Sequence, residues 1–530
     1  RKVVAVALLL GVLLRLAQYA VNRSLWLDEG LIASSILGRG WAGLLQPLDY
    51  GQTAPLGFLA LVKGATVLLG SSEFALRLVP FLAAMASLAL IVPVARRYVS
   101  RRAVPFAVAI FALAPFLVYY ASEVKQYSLD VLASLVVLAF ASALSRRADD
   151  PRAAAGFCVA GALAVWFSQP AVFMLAGVGI VLGVRALRRG DRRAVGLLAG
   201  LAAAWGISFA GSYLVSRRTL ADPVYMHAFW RDGFLPLRPH TLAEWLWLPR
   251  MLGRMFREPM GIMGEDPTPV SWFGVAAAIV AFLAGAWWMA RRRPLRLALL
   301  LAPAGLVLLA SAAQMYPLGA SYLMSGRVLI FLIPSLAFVM AEGAFALRRA
   351  LPVAWARPVY VLVTALALLP SAAYAALSVP HVRAEVRPLL EYANEQRRPG
   401  DLMYVYYNGK AVFAYYAPRY GWTGRNTVTG ACSRTHPAGY LPDLARLRGR
   451  PRVWVLFVGG KAVDGYDERG LMLAFLDHLG RRMDDRVAVG ASLYLYDLRP
   501  EMARPGQFTA AIPDFPRDPA VSCRGPWGPR

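Results

Sequence analysis

Histidine and cysteine are scarce in this sequence, with five and three residues among 530. The histidines stand far apart, and none has the spacing of a zinc-binding motif. The glycine patterns of nucleotide-binding loops and of serine hydrolases are also missing. These absences argue against a zinc centre or a bound nucleotide. The sequence indicates no metal ligand and no cofactor, and it leaves a divalent-metal requirement open.

Acidic residues are outnumbered by basic ones, 31 to 57, and the net charge is +26. A charge of this size would fit nucleic-acid binding. The arginines, however, stand in clusters between apolar segments, as they do in the cytoplasmic loops of membrane proteins. We therefore exclude a nucleic-acid partner. The clusters lie at 96–102, 146–152, 185–193, 291–296 and 348–357.

Apolar segments of about 18–22 residues, the length that crosses a bilayer core, recur along a chain that is 58% hydrophobic. The sequence predicts a mostly α, polytopic membrane protein with eleven spans. Every arginine cluster falls on one side of the membrane if the first span begins in the cytoplasm. The predicted spans are 3–22, 74–95, 103–121, 127–145, 153–169, 171–187, 194–214, 271–290, 295–315, 326–347 and 357–378.

The apolar segment 54–70 contains Lys63, and counting it as a span would invert every later loop. We interpret it as a helix in the membrane interface, with Lys63 reaching water. The predicted transmembrane domain covers 1–379. Its first outer loop, 23–73, holds interfacial helices, and 215–270 forms a large outer loop.

Strand-like and helical stretches alternate after the last span. This pattern predicts an extracytoplasmic α/β domain at 380–498, followed by a Pro/Arg-rich tail at 499–530. Cys432 and Cys523 both fall in this region. A disulfide between them and two free thiols are both consistent with the sequence.

Charged residues gather at the outer ends of the spans. Asp28 and Glu29 follow the first span, and Arg327 ends the loop between the ninth and tenth spans, a loop that also contains Tyr322. Cations can hold a phosphate group, and a carboxylate can take a proton from a hydroxyl. This surface therefore has the groups that a transfer reaction on a phosphorylated lipid requires.

The stretch "YYASEVKQYSLD", 119–130, joins the third and fourth spans with almost no loop. Glu123, Tyr127 and Asp130 would share one face of a helix, and Lys125 would point elsewhere. Structural alternatives exist for most of these charged residues. They are a helix cap for Asp28, a pair with Arg23 for Glu29, a local Glu123–Lys125 pair, a helix-boundary position for Arg327, and a structural pair between Glu73 and Arg77.

Four stretches, in order, resemble the GT-C glycosyltransferases, specifically the branch of protein O-mannosyltransferases and lipid A aminoarabinose transferases. They are "LWLDEG", "APLGFLALVKGATVLLGSSEFALRLVPFLAA", "YYASEVKQYSLD" and "SGRVLIFLIPSLAFVMAEG". The resemblance covers about residues 1–350. It departs from the family at "TAPL", where some relatives have a lysine, and the luminal β-domain of the protein mannosyltransferases is missing.

The resemblance implies an inverting transfer of a hexosyl or pentosyl group from a polyprenyl-phosphate donor. The acceptor would be a hydroxyl of an envelope glycan, a glycolipid or a protein. The protein would lie among the lipids of the bacterial inner membrane, with its site facing the periplasm. Carried over by position, Asp28 would be the general base and Glu29 a second acid at the acceptor. Lys125, Tyr127 and Arg327 would bind the donor phosphate. Candidate acceptor or sugar contacts are Glu123, Asp130 and Tyr322.

Two other functions compete with transfer. A flippase or transporter of lipid-linked sugars would carry its charges at mid-bilayer on discontinuous helices. A scaffold subunit with an inactive site would keep the spans without needing the acids. The position of the acids at the outer edge favours transfer.

Overall fold

The chain was analysed as a computed structural model, which describes all residues except 147–149, 220–226, 263–268, 320–324, 435, 460–466 and 511–530. Tyr322 and Cys523 lie outside the described residues. The pairing of Cys432 with Cys523 and the contacts of Tyr322 therefore stay predictions. Cys158, inside the helical bundle, is a free thiol.

Helices make up almost all of the first 380 residues. The first ten are α1 (Lys2–Ala20), α2 (Leu27–Gly38), α3 (Leu56–Leu69), α4 (Glu73–Tyr98), α5 (Val104–Leu113), α6 (Pro115–Tyr119), α7 (Tyr127–Arg146), α8 (Pro151–Phe167), α9 (Ala171–Arg188) and α10 (Arg192–Thr219). The next six are α11 (Leu242–Trp245), α12 (Trp247–Arg257), α13 (Pro269–Arg292), α14 (Pro294–Ala312), α15 (Ile333–Ala350) and α16 (Val353–Ser378). A 3-10 helix, Ser325–Leu332, leads directly into α15.

Nine helical segments among the described residues are long and apolar enough to span a membrane, and α5 with α6 makes a tenth if the bent pair counts as one span. The remaining predicted span corresponds to α8, an apolar helix of 17 residues. The polytopic helical architecture is confirmed. Helix α3, with 14 residues, is short for a span. Lys63 is partly exposed and donates to the Ile36 carbonyl at 2.8 Å, near the end of α2.

The third predicted span is not straight. α5 and α6 meet at an angle of 55°, because Pro115 cannot continue the helical hydrogen bonding of α5. The guanidinium of Arg15, buried in α1, donates to the Ala112 carbonyl at 2.7 Å and to the Gly11 carbonyl at 2.9 Å. Arg15 thus satisfies a carbonyl in the last turn before the break, where a helix leaves such groups without internal partners.

A five-stranded sheet follows the bundle. Its elements are α17 (Arg387–Glu395), β1 (Leu402–Val405), α18 (Lys410–Tyr416), β2 (Thr427–Thr429), α19 (Tyr440–Ala445), β3 (Val453–Val458), α20 (Glu468–Leu479), β4 (Arg481–Ala488) and β5 (Ala491–Asp497). The strand order is β2-β1-β3-β5-β4. Strands β1, β2 and β3 are parallel, and β5 runs antiparallel to both β3 and β4. β3 is apolar and buried along its length, as expected for a central strand covered on both faces.

The α/β domain packs directly on the first loop of the bundle. A side chain at Gly30 in α2 would meet Val412 in α18, since a Cβ there would lie 2.7 Å from the Val412 side chain. The amide of Leu25 donates to the Tyr416 hydroxyl at 2.8 Å. We call the end of the bundle that contacts this domain, where residues 22–29, 122–126 and 325–327 lie, the domain end.

Arginine clusters lie at the opposite end of the bundle. Arg293 pairs there with the buried Glu342 at 3.5 Å. Glu342 also accepts hydrogen bonds from the amide and hydroxyl of Ser100, both at 2.7 Å. These contacts tie α13 and α15 to the turn after α4. The two ends of the bundle therefore carry different charge patterns.

Candidate active site

Asp28 and Arg327 form an ion pair at the domain end. Asp28 lies in the first turn of α2, where a carboxylate is favoured by the helix dipole. The N-cap is Trp26, so the alternative of Asp28 as a helix cap is wrong. The Asp28 carboxylate lies 3.3 Å from the guanidinium of Arg327, and the two side chains are 19% and 13% exposed. Segments almost 300 positions apart thus meet at a partly accessible point.

Lys125 supplies a second positive charge near Asp28. Its ammonium group donates to the side-chain carbonyl of Gln52 at 2.8 Å. Burial alone would raise the pKa of Asp28, but the charges of Lys125, Arg327 and Arg383 outweigh burial and hold the pKa below its usual value. The carboxylate is therefore ionised at neutral pH and able to accept a proton.

Glu29, next to Asp28, is fully buried, and its carboxylate contacts other groups of the protein. Its carboxylate accepts from the Arg77 guanidinium at 2.8 and 2.6 Å and from the Val124 amide at 3.0 Å, and Arg23 lies 3.7 Å away. Burial would raise the pKa of Glu29, but Arg77 and Arg23 hold it below its usual value. These contacts give the carboxylate a structural role, and its expected role at the acceptor stays a prediction.

The predicted pair between Glu73 and Arg77 is also wrong. Arg77 reaches Glu29 and the carbonyls of Arg23 and Ser24. Glu73 instead lies 3.4 Å from Arg387 and 3.2 Å from Arg419, both in the α/β domain. Glu73 and Arg77, four residues apart, thus bind distant partners instead of each other. The Arg77 contacts join α4 to the first loop, and the Glu73 contacts join α4 to the α/β domain.

The stretch before α7 is not helical as predicted. Glu123 has extended backbone dihedrals, and α7 begins only at Tyr127. Glu123 therefore does not share a helical face with Tyr127 and Asp130. The turn at 123–126 directs Lys125 towards Gln52 rather than into an ion pair with Glu123.

Glu123, Tyr127 and Asp130 differ in their surroundings, and the charges of Arg327, Asp28 and Glu123 act on Tyr127. Glu123 is buried, and burial raises its pKa against the opposing charge of Arg383. The ring of Tyr127 packs edge-on against Tyr120 at 4.7 Å. Asp130 is buried in α7, and no hydrogen bond or ion pair in the described chain joins it to Asp28, Lys125 or Arg327. Their roles at the donor or the acceptor stay predictions.

Arg383 is a further cation near Asp28 that the sequence did not indicate. It lies between α16 and α17, and its guanidinium carbon lies 4.2 Å from the centre of the Trp26 ring and 5.0 Å from that of Tyr119. An arginine in a linker carries no sequence signal, because only the docking of the α/β domain brings it here. Gln52, the partner of Lys125, was also missed, because only the tertiary fold brings these two residues together.

Among the described residues, no group of three or more His, Cys, Asp and Glu side chains is placed to hold a metal ion. The positive charges at the domain end come from lysine and arginine side chains. That the chain has no metal ligand stays a prediction, and the question of a divalent-metal requirement stays open.

Comparisons with known proteins agree with this architecture. Residues 53–210 match the family model described as dolichyl-phosphate-mannose-protein mannosyltransferase. That range includes Lys125 and excludes Asp28 and Arg327. A comparison with curated protein sequences finds no significant match.

Solved structures are similar over nearly the whole chain. ArnT from Cupriavidus metallidurans in the apo state is 13% identical, with a TM-score of 0.52 over 95% of this chain and 98% of that one. ArnT bound to undecaprenyl phosphate is 14% identical, with a TM-score of 0.53 over 95% and 99%. The archaeal oligosaccharyltransferase AglB from Archaeoglobus fulgidus, in complex with an inhibitory peptide and a dolichol-phosphate, is 13% identical, with a TM-score of 0.51 over 93% and 74%.

The family-model match over residues 53–210 and these structures support the fold that the resemblance implied. The chain is a multi-pass membrane protein with the GT-C fold and a C-terminal α/β domain.

Proposed function

We propose that this protein transfers a sugar from a polyprenyl-phosphate donor to a hydroxyl acceptor, with inversion at the anomeric carbon. Asp28 is the general base, and Lys125 and Arg327 bind the donor phosphate. The single observation that carries the proposal is the contact of Asp28 with Arg327 at 3.3 Å. It joins a proton acceptor and a phosphate-binding cation at one partly accessible point.

The reaction requires both kinds of group at once. The acceptor oxygen attacks the anomeric carbon, and the bond from that carbon to the phosphate oxygen breaks. The hydroxyl proton passes to Asp28, and the electron pair stays on the lipid phosphate. The leaving phosphate thus gains one negative charge, which preorganised cations stabilise more strongly in the transition state than in the bound donor.

The lipid ligands of similar structures support the class of donor. ArnT was solved with undecaprenyl phosphate, and AglB with a dolichol-phosphate. Both ligands are polyprenyl phosphates, and the present chain shares the fold of both proteins. We propose the same class of lipid carrier here, with a hexosyl or pentosyl group attached.

The charge pattern of the bundle supports a site on the outer face. Arginine-rich ends of membrane helices favour the cytoplasm, and Asp28 lies at the opposite end. We propose that the domain end faces the periplasm of a bacterial inner membrane. The acceptor is then a hydroxyl of an envelope glycan, a glycolipid or a protein.

The bend between α5 and α6 raises the competing function of a flippase or transporter, since transporters place charges at discontinuous helices. Arg15 does lie at this bend. Its guanidinium is buried, however, and donates to two backbone carbonyls. This contact favours a structural role for Arg15 over a transport site.

One experiment separates the two functions. We expect purified protein, incubated with labelled polyprenyl-phosphate sugars and a mixture of hydroxyl acceptors, to release lipid phosphate and to label an acceptor. The same protein in vesicles reports movement of the intact donor. Movement without cleavage would identify a transporter and would contradict the proposed transfer.

Replacing Lys125 or Arg327 by alanine is expected to weaken donor binding about 10- to 100-fold, because each loses a charge-assisted contact with phosphate. The measurement is the affinity for a polyprenyl phosphate in detergent. Arg450→Ala removes an exposed arginine of the α/β domain and serves as the control. Unchanged affinity in both site variants would contradict the phosphate role.

A further inference from the structure

The linker between α16 and α17, residues 379–386, crosses the domain end of α1; we call it the strap. Gln18 of α1 and His381 of the strap exchange two hydrogen bonds, from the Gln18 amide to the His381 carbonyl at 2.9 Å and from the His381 amide back to Gln18 at 2.8 Å. Glu385 accepts from the hydroxyl of Ser24 at 2.7 Å. Contacts on both sides of Arg383 therefore fix its backbone position.

The side chain of Arg383 is held by aromatic rings. Its guanidinium lies over Trp26, the N-cap of the helix that carries Asp28, and near Tyr119. Within the described chain it forms no hydrogen bond or ion pair. A guanidinium has five N–H donors, and a partly buried one normally places them on a carboxylate, a carbonyl or a ligand.

The charged side chains around Arg383 have an excess of positive charge that an anion could neutralise. Among the described residues, three acids lie in this cluster, Asp28, Glu29 and Glu123. They are outnumbered by five cations whose charges act on them, Arg23, Arg77, Lys125, Arg327 and Arg383. A phosphodiester brings one negative charge, and a phosphate monoester up to about two. A ligand of that charge would balance the cluster, most completely after the sugar has left.

We propose that Arg383 is a third ligand of the donor phosphate, beside Lys125 and Arg327, and that docking of the α/β domain brings it into the site. This inference rests on the proposed function. It identifies the C-terminal domain as part of the lipid-phosphate site rather than as a separate module.

The contacts around the strap explain how domain docking positions Arg383. Arg387, at the start of α17, donates to the Asn22 carbonyl at 2.9 Å and lies 3.4 Å from Glu73. Tyr415 donates to the Ser71 carbonyl at 2.7 Å. The domain that follows the strap therefore contacts the first loop at both of its ends.

The test is the affinity of the purified full chain for a polyprenyl phosphate without sugar, measured at several salt concentrations. We expect Arg383→Ala to weaken binding about 10- to 100-fold, as expected for loss of a charge-assisted contact, and to flatten the salt dependence. Arg383→Lys keeps the charge but loses the planar fork, so we expect a smaller loss. Binding of the uncharged polyprenol should not change in either variant.

A matched control exists in the same domain. Arg397 also lies over an aromatic ring, 4.1 Å from the centre of Trp422, but it donates to the carbonyls of Tyr420 and Gly421. Arg397→Ala therefore removes a stacked arginine whose donors already have partners. We expect it to leave the affinity for polyprenyl phosphate unchanged.

The outcomes separate the two levels of the proposal. If the wild-type chain binds no polyprenyl phosphate, the proposed function fails. If the wild type binds and Arg383→Ala binds equally well, only the role of Arg383 is overturned. Should the alanine variant fail to fold, Arg383→Gln removes the charge at similar size, and wild-type affinity in that variant would overturn the role as well.

Discussion

Asp28→Asn is expected to lower the rate of sugar transfer by at least about 10²- to 10⁴-fold, the usual contribution of a general base. Asparagine has the same shape but cannot take the proton of the acceptor hydroxyl. The measurement is the release of lipid phosphate under saturating donor. Affinity for the polyprenyl phosphate should remain close to that of the wild type, since the cations are unchanged.

Asp49→Asn is the matched control for this substitution. Asp49 lies in the same first loop and pairs with Arg39 at 2.8 Å. We expect Asp49→Asn to keep the wild-type rate. Wild-type turnover in Asp28→Asn would exclude Asp28 as the base, whatever the behaviour of the control.

The second large effect concerns folding. Arg77→Met is expected to destabilise the protein by about 3–5 kcal/mol, because it leaves the buried carboxylate of Glu29 without its main partner. The thermal midpoint of the protein in detergent and its yield from the membrane are the measurements. Transfer should fall with the folded fraction, since Glu29 and Arg77 hold α2 against α4.

A double variant tests whether the destabilisation comes from the unpaired charge of Glu29. Glu29→Leu combined with Arg77→Met removes both charges, and such replacements often restore stability. We expect the double variant to be more stable than Arg77→Met alone. Arg446→Met, which breaks the exposed pair with Asp443, should leave the thermal midpoint unchanged. A destabilisation by Arg446→Met as large as that of Arg77→Met would contradict this account.

The bundle could be predicted from the sequence because a bilayer imposes a simple rule on segment length. Nine of the eleven predicted spans correspond to single α-helices with boundaries that differ by only a few residues; the third is the bent pair α5–α6, and the tenth is the 3-10 helix Ser325–Leu332 followed by α15. The bend at Pro115 was missed because hydropathy averages over the break. Strand β4 was missed as well, since its sequence, "RRMDDRVA", is polar and lies at the edge of the sheet.

The candidate site was predictable only where its residues stand out locally. Asp28 and Arg327 are charged residues beside apolar helices, so their convergence could be expected, and the structure brings them into contact. Partner choice was not predictable in the same way. Arg77 binds Glu29 rather than Glu73, since long-range geometry decides which of two acids an arginine reaches.

The contact between Gly30 and Val412 limits how the two halves of this protein can diverge. With no room for even a methyl group between α2 and α18, a larger residue at Gly30 or Val412 would push apart the helix that carries Asp28 and helix α18 of the α/β domain. Chimeras that join this bundle to the α/β domain of another protein would therefore need a residue no larger than valine at the position of Val412. The two halves should be inherited as one unit.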